Sequence, residues 1–265
     1  MEVEIIEQNK KDGKTKFILS KTTPAYVNTI RRIIVAEVPT MAIEDIEFRQ
    51  NNSVLYDEMI ALRLGLIPLT TDIKAYNLPS KCSCSGAGCA RCQLKLTLKV
   101  SGPKTVYSGD IKSKDPKVKP VYDKIIIVKL LEGQSLEFEA TAVLGVGKEH
   151  AKWAPGHIYF QNAPKLKVLH QPEDVQKMVA SCPKSVFENK AGKFGINEKR
   201  INNCDLCESC LHVPGEDGVM EVKADESEFI FTIESWGQLS PKEIIEKAVE
   251  TFDEKLEEFK GLLKE

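Results

Sequence analysis

Val3 and Ile5 alternate with acids at the start of the chain, Asp12-Gly13 can take positive φ, and Phe17-Ile18-Leu19 resumes an apolar strand. Residues 1 to 20 therefore read as a hairpin. The period then changes. Thr23 is placed to cap a helix with Pro24 at its first position, and Tyr26, Val27, Ile30, Ile33, Ile34 and Val38 share one face at 3.6-residue spacing until Pro39 stops it. Met41 to Phe48 reads as a strand and Tyr56 to Leu64 as a short helix ended by Gly65. From Lys81 to Gln161 the texture is short strands and turns. The run Leu94-Lys95-Leu96-Thr97-Leu98-Lys99-Val100 has a strict period of two, which implies one buried face. Lys112 to Pro120, rich in lysine, reads as a solvated loop, and strands resume at Ile125 to Leu131 and Leu136 to Leu144. Gln171 to Ala180 reads as a helix with Pro172, Glu173 and Asp174 in its first turn, where the helix dipole favours acids.

Phe229, Phe231 and Ile233 alternate in a last strand broken by Gly237, and Ser240-Pro241-Lys242-Glu243 is a capping box that starts a terminal helix. Along that helix Ile245, Val249, Phe252, Leu256, Phe259 and Leu263 form a heptad seam. Such a seam fits a helix packed on its own sheet. It equally fits one that pairs with another chain's helices, with Tyr26, Ile30, Ile33 and Ile34 on the first helix as further interface candidates.

Composition narrows the class. Apolar residues at 42% and charged residues at 29% lie near the globular average and argue against disorder. Lys and Arg (37) nearly balance Asp and Glu (39), so no chain-wide basic field would hold nucleic acid, and no sequence-specific nucleic-acid binding is expected. Met1-Glu2-Val3-Glu4 lacks the features of a secretory signal and no uncharged run approaches the ~18 residues of a membrane span, so a cytoplasmic location is expected.

Cysteine carries the chemistry. Cys204-x2-Cys207-x2-Cys210 lets one tight loop aim three thiolates at three corners of a cube, the spacing of cubane iron–sulfur ligation, and Cys182-Pro183 has the form of the remote fourth ligand of ferredoxins. The expectation is a [4Fe–4S] cluster, with [3Fe–4S] as a variant and zinc or free thiols as alternatives. Cys82, Cys84, Cys89 and Cys92 lie within eleven residues with Gly86 and Gly88 between the pairs, which suits a zinc knuckle or two disulfides. No nucleophile motif or P-loop is present, so no catalytic residue is assigned; Gly145-Val146-Gly147 is half a dinucleotide fingerprint and reads as a turn.

Asn28 to Ala42 (NTIRRIIVAEVPTMA), Asp57 to Leu69 (DEMIALRLGLIPL), Gly147 to Trp153 (GKEHAKW) and Phe229 to Gly237 (FIFTIESWG) together resemble the alpha-type assembly subunits of cellular RNA polymerases. The added ferredoxin-like cysteine module resembles the archaeal branch of that family. Leu62 stands where the family usually carries histidine. The resemblance implies an α+β fold with a discontinuous dimerisation domain (1–45 and 218–265), an inserted β-rich domain (46–165) carrying the four-cysteine loop, and a small ferredoxin-like iron–sulfur domain (166–217). It implies a heterodimer with the small subunit L, contacts with subunits N and P and the large catalytic subunits, and nucleotidyl transfer carried out by those large subunits. A second reading, from the cluster alone, is a ferredoxin-type electron-transfer subunit.

Overall fold

The computed structural model describes residues 1–263. It is a mixed α/β chain that divides into two compact units, one of residues 1–8, 15–29 and 159–232, the other of 9–14, 30–158 and 233–265.

In the first unit, β1 (Glu2–Asn9), β2 (Lys14–Ser20), β9 (Gly156–Val168) and β12 (Met220–Ser235) form one sheet in the order β1-β2-β12-β9. β12 is central, so its run from Phe229 to Ile233 is covered on both faces, with every side chain 2% exposed or less. Phe17 stacks on Phe231 at 5.3 Å, and Phe160 meets Phe229 and Phe231 at 5.8 and 6.4 Å, which gives this sheet an aromatic face. β12 starts nine residues before the alternating motif that the sequence singles out, and β9 carries too many polar residues to stand out by alternation.

A small module follows β9. Helix α3 (Val175–Ala180) is shorter than the pattern predicts: Pro172 and Glu173 precede it, and Asp174 is its cap, accepting from the Lys177 N–H at 3.0 Å. The hairpin of β10 (Phe187–Lys190) and β11 (Lys193–Ile196) turns on Ala191-Gly192, both at positive φ as a two-residue turn requires. Met178, Val186, Phe187, Phe194, Val213, Val219 and Met220 are its core.

The second unit is built on β3 (Thr40–Asn51), β8 (Ser135–Gly145), β4 (Gln93–Ser101) and the two-residue β6 (Lys112–Ser113), in the order β3-β8-β4-β6. β4 pairs with β8 without interruption from Gln93↔Val143 to Ser101↔Ser135, and the period-two pattern buries Leu94, Leu96 and Leu98. Helix α2 (Asp57–Gly65) adds Ile60 and Leu64 to that core, as do β5 (Lys104–Tyr107) and β7 (Ile126–Leu130). The lysine-rich stretch 112–120 is more tightly held than a solvated loop. Its lysines face water, but Val118 is fully buried and Thr70 bonds the carbonyls of Lys117 and Lys119.

Helix α1 (Pro24–Glu37) is capped by Thr23 as expected. Helix α4 (Pro241–Leu262) opens on the full capping box of Ser240 and Glu243. Lys255 ties α4 to Glu37 at the end of α1 (2.9 Å), and Glu254 reaches Lys81 just before the first cysteine group (3.4 Å).

Candidate metal centres and interface

Cys82, Cys84, Cys89 and Cys92 lie between a short 3-10 turn, Pro79–Lys81, and the start of β4. Tight turns fold the loop back on itself: the Ser85 N–H donates to the Cys82 carbonyl (2.9 Å), Ala87 to Cys84 (3.0 Å) and Cys92 to Cys89 (3.0 Å). Gly88 sits at φ +88°, where a Cβ would also come within 2.7 Å of the Gln93 amide, so a side chain there would open the loop.

All four sulfurs lie within 4.8 Å of one another, the tightest cysteine group among the described residues. The closest pairs are Cys84–Cys92 at 3.5 Å, Cys82–Cys89 at 3.6 Å and Cys89–Cys92 at 3.8 Å. None of these cysteines is joined to another by an S–S bond in the structure. Four thiolates bound to zinc at about 2.3 Å define a tetrahedron with edges of about 3.8 Å, so this spacing already fits one ion. Hydrogen bonds from the Cys82 and Cys92 thiols pull the Cys84 pKa down to about 6. Cys92 accepts the Cys89 N–H, which lowers its pKa, but burial and the neighbouring thiols drive it up to about 12.

The second group is built differently. Cys182 directly follows the last turn of α3, and its Sγ receives the Val186 N–H at 3.5 Å. Cys204 ends a 3-10 turn, Ile201–Asn203, and the loop to Cys210 is shaped by Leu206 and Glu208, both at positive φ. Cys182, Cys204 and Cys210 pack against the module's core, whereas Cys207 is exposed. Burial raises the Cys204 thiol, and it pushes Cys210 up to about 11, with the charges of Cys204, Cys182 and Cys207 adding to the effect. Among the described residues the thiols of Cys182, Cys204, Cys207 and Cys210 do not gather as closely as those of the first group. Three cysteines at C-x2-C-x2-C spacing with one remote cysteine before proline are the donor set of a cubane cluster.

Glu216, which the sequence left unremarked, is 6% exposed and accepts the backbone N–H groups of Glu173 (3.0 Å) and Asp174 (2.6 Å), tying the segment after Cys210 to the start of α3. Glu216→Ala leaves both donors without an acceptor and should cost the module about 1–3 kcal/mol, with Glu216→Gln losing less. Amide exchange across α3 in the two variants checks the ranking.

The interface candidates divide by burial. Ile34 is fully buried and Ile30 and Ile33 are 8% exposed, so the chain's own fold already covers them, and Tyr26 is half-buried. On α4 the inward stripe is Ile244 and Ala248, both at 0%, rather than the heptad seam. Ile245 and Phe252 are half-buried. Val249 (41%), Leu256 (42%), Phe259 (58%) and Leu263 (70%) remain exposed in one line along the helix. A second exposed apolar stripe follows α2 at Tyr56, Met59, Leu62 and Leu66. Gly147 fits the turn reading: a Cβ there would lie 2.0 Å from the Val35 carbonyl oxygen, so glycine serves close backbone packing.

A profile for the RNA polymerase Rpb3/RpoA insert domain matches residues 41–158. The whole chain is similar to DNA-directed RNA polymerase subunit Rpo3 of Methanosphaera stadtmanae, 39% identical with 96% of each chain covered. Subunit Rpo3 of Archaeoglobus fulgidus is also 39% identical, with 100% of this chain and 98% of the relative covered. DNA-directed RNA polymerase II subunit rpb3 of Dictyostelium discoideum is 35% identical, with 100% and 95% covered.

Proposed function

The chain belongs to the family of DNA-directed RNA polymerase subunits Rpo3 and Rpb3, and from that premise we propose that it is a non-catalytic assembly subunit of a DNA-dependent RNA polymerase, of the type called D in archaea. The observation that carries this is similarity along the whole chain to relatives that are themselves polymerase subunits. An electron carrier would share the cysteine module alone. As an assembly subunit the chain pairs with a small subunit, L, through residues 1–45 and 218–265. It then offers further surface, such as the α2 stripe, to subunits N and P and the large catalytic subunits. Nucleotidyl transfer belongs to those large subunits. No helix among the described residues is long and apolar enough to cross a membrane, and the polymerase reading places the chain in the cytoplasm. Copurification tests the reading: tagged chain expressed with subunit L should recover it in a one-to-one complex, and recovery of the chain alone would count against assembly.

Both metal groups are structural on this reading. Zinc at Cys82, Cys84, Cys89 and Cys92 would close the inserted domain's loop with four bonds. An iron–sulfur cluster at Cys182, Cys204, Cys207 and Cys210 would tie the small domain of residues 166–217 together. Cys84→Ser combined with Cys92→Ser should reduce bound zinc from about one per chain to none. Protease sites should then open within residues 80–95 while the secondary structure persists. Elemental analysis with limited proteolysis reads both effects, and an unchanged cleavage pattern would show that the ion does not hold the loop.

A further inference from the structure

Cys204 is carried by no helix or strand; it ends the 3-10 turn Ile201–Asn203. It follows a run of local turns, in which Arg200 N–H donates to Asn197, Asn203 to Arg200 and Cys204 to Ile201, all near 3 Å. Turns of this kind fix shape over four residues but leave the stretch free to move as a body. Two side chains of the four-stranded sheet reach it. Gln161 of β9 donates through Nε2 to the Cys204 carbonyl at 2.8 Å, and Lys16 of β2 donates through Nζ to the Asn202 carbonyl at 2.8 Å.

Strand geometry explains why these two residues meet the same loop. Lys16 precedes Phe17 and Gln161 follows Phe160, and both phenylalanines join the aromatic face formed with Phe229 and Phe231. Successive strand residues point to opposite faces, so Lys16 and Gln161 share the other one. β2 and β9 are the two neighbours of β12, so the pair straddles it. Ile230 and Thr232 of β12, on that same face, are 1% and 2% exposed, so the face is covered rather than solvated.

On the iron–sulfur reading of Cys182, Cys204, Cys207 and Cys210, we propose that Gln161 and Lys16 are positioning residues that clamp the Cys204 corner of the cluster to the sheet. Gln161 holds the backbone of the ligand itself. Lys16 holds the turn that delivers it. Cluster retention is thereby set by two residues of the sheet, outside the cysteine module and remote from it in sequence. Partners hydrogen-bonded to a ligating side chain typically account for 10- to 100-fold in metal affinity; Gln161 holds the ligand's backbone carbonyl instead, so the lower end of that range is expected.

The test uses the full chain, reconstituted anaerobically with ferrous iron and sulfide. Iron release to an excess of ferrous chelator gives a rate, and visible circular dichroism reports ligand geometry. Gln161→Glu keeps the shape of the side chain but offers no donor at neutral pH, and Gln161→Leu removes the polar group. Both should release iron roughly 10-fold faster or more and alter the visible dichroism. Lys16→Met should accelerate release as well. Asn162→Ala is the control, since Asn162 bonds the Asp225 carbonyl at 2.7 Å on the same strand without touching the cysteine loop, and should leave the rate unchanged. Far-UV dichroism checks folding, and Gln161→Glu decides should Gln161→Leu fail to fold. Release within twofold of the parent rate for Gln161→Glu would overturn the proposal, as would equal acceleration by Asn162→Ala. A parent chain that takes up neither iron nor sulfide would instead overturn the cluster reading beneath it.

Discussion

Phe259→Glu should weaken binding of the small partner subunit by about 30- to 1,000-fold, the equivalent of about 2–4 kcal/mol, while leaving the isolated chain folded. Phe259 is 58% exposed and is the aromatic member of the open line Val249, Leu256, Phe259 and Leu263. Aromatic side chains at the centre of an interface tend to dominate its energy, and burying a carboxylate there without a partner adds a desolvation cost. The isolated chain loses little, because the inward face of α4 is held by Ile244 and Ala248 and its start by the Ser240 and Glu243 box. Phe252 is the poorer probe. It is half-buried in the chain itself, so a charge there mixes loss of folding with loss of binding. Titration calorimetry against subunit L, with circular dichroism of the free chain, separates the two effects. Unchanged affinity would move the interface off this helix.

Cys204→Ser combined with Cys207→Ser should abolish iron binding and unfold residues 170–217 locally, with amide protection there falling roughly 100-fold or more. The module's regular structure consists of the six-residue α3, one hairpin with a four-residue strand on each side of Ala191-Gly192, and short 3-10 turns around a core of seven buried side chains. A hairpin alone is marginal in water, and a core this small rarely offsets the entropy of ordering its chain without a staple. Because Cys182, Cys204 and Cys210 pack against the same core, removing the cluster also leaves the Cys182 and Cys210 thiols poorly packed against it. Protection along β3, β4 and β8 should stay at the parent level, since those strands draw on a separate core. Hydrogen exchange resolved by mass spectrometry tests both halves. Retained protection at 170–217 after complete iron loss would assign the cluster a role other than structural.

The features legible in sequence are those whose cause is local. The capping box at Ser240, the cap at Thr23, the alternation through Leu94 to Val100 and the cysteine spacings each act within a few residues, and the structure places the corresponding elements where the pattern predicts. The candidate ligand sets were legible for the same reason, since seven of the eight cysteines lie in two short loops. The hairpin at Phe187 to Ile196 and the long strand β9 were not. Their lysines, asparagines and glutamines carry no period, and only pairing with distant strands makes them extended.

Sequence by itself therefore determined the family, the helices with their caps, and the first cysteine group. Tertiary structure alone decided which side of α4 turns inward, because Ile244 and the heptad seam are one residue apart and both apolar. It also brought the first cysteine group to the spacing of one ion, and Lys16, Gln161 and Glu216 to their partners around the second group across 42 to 186 residues of chain. The physical reason is that short-range periodicity encodes a buried face but not its occupant, whereas a hydrogen bond between distant residues exists only once the packing has set both ends.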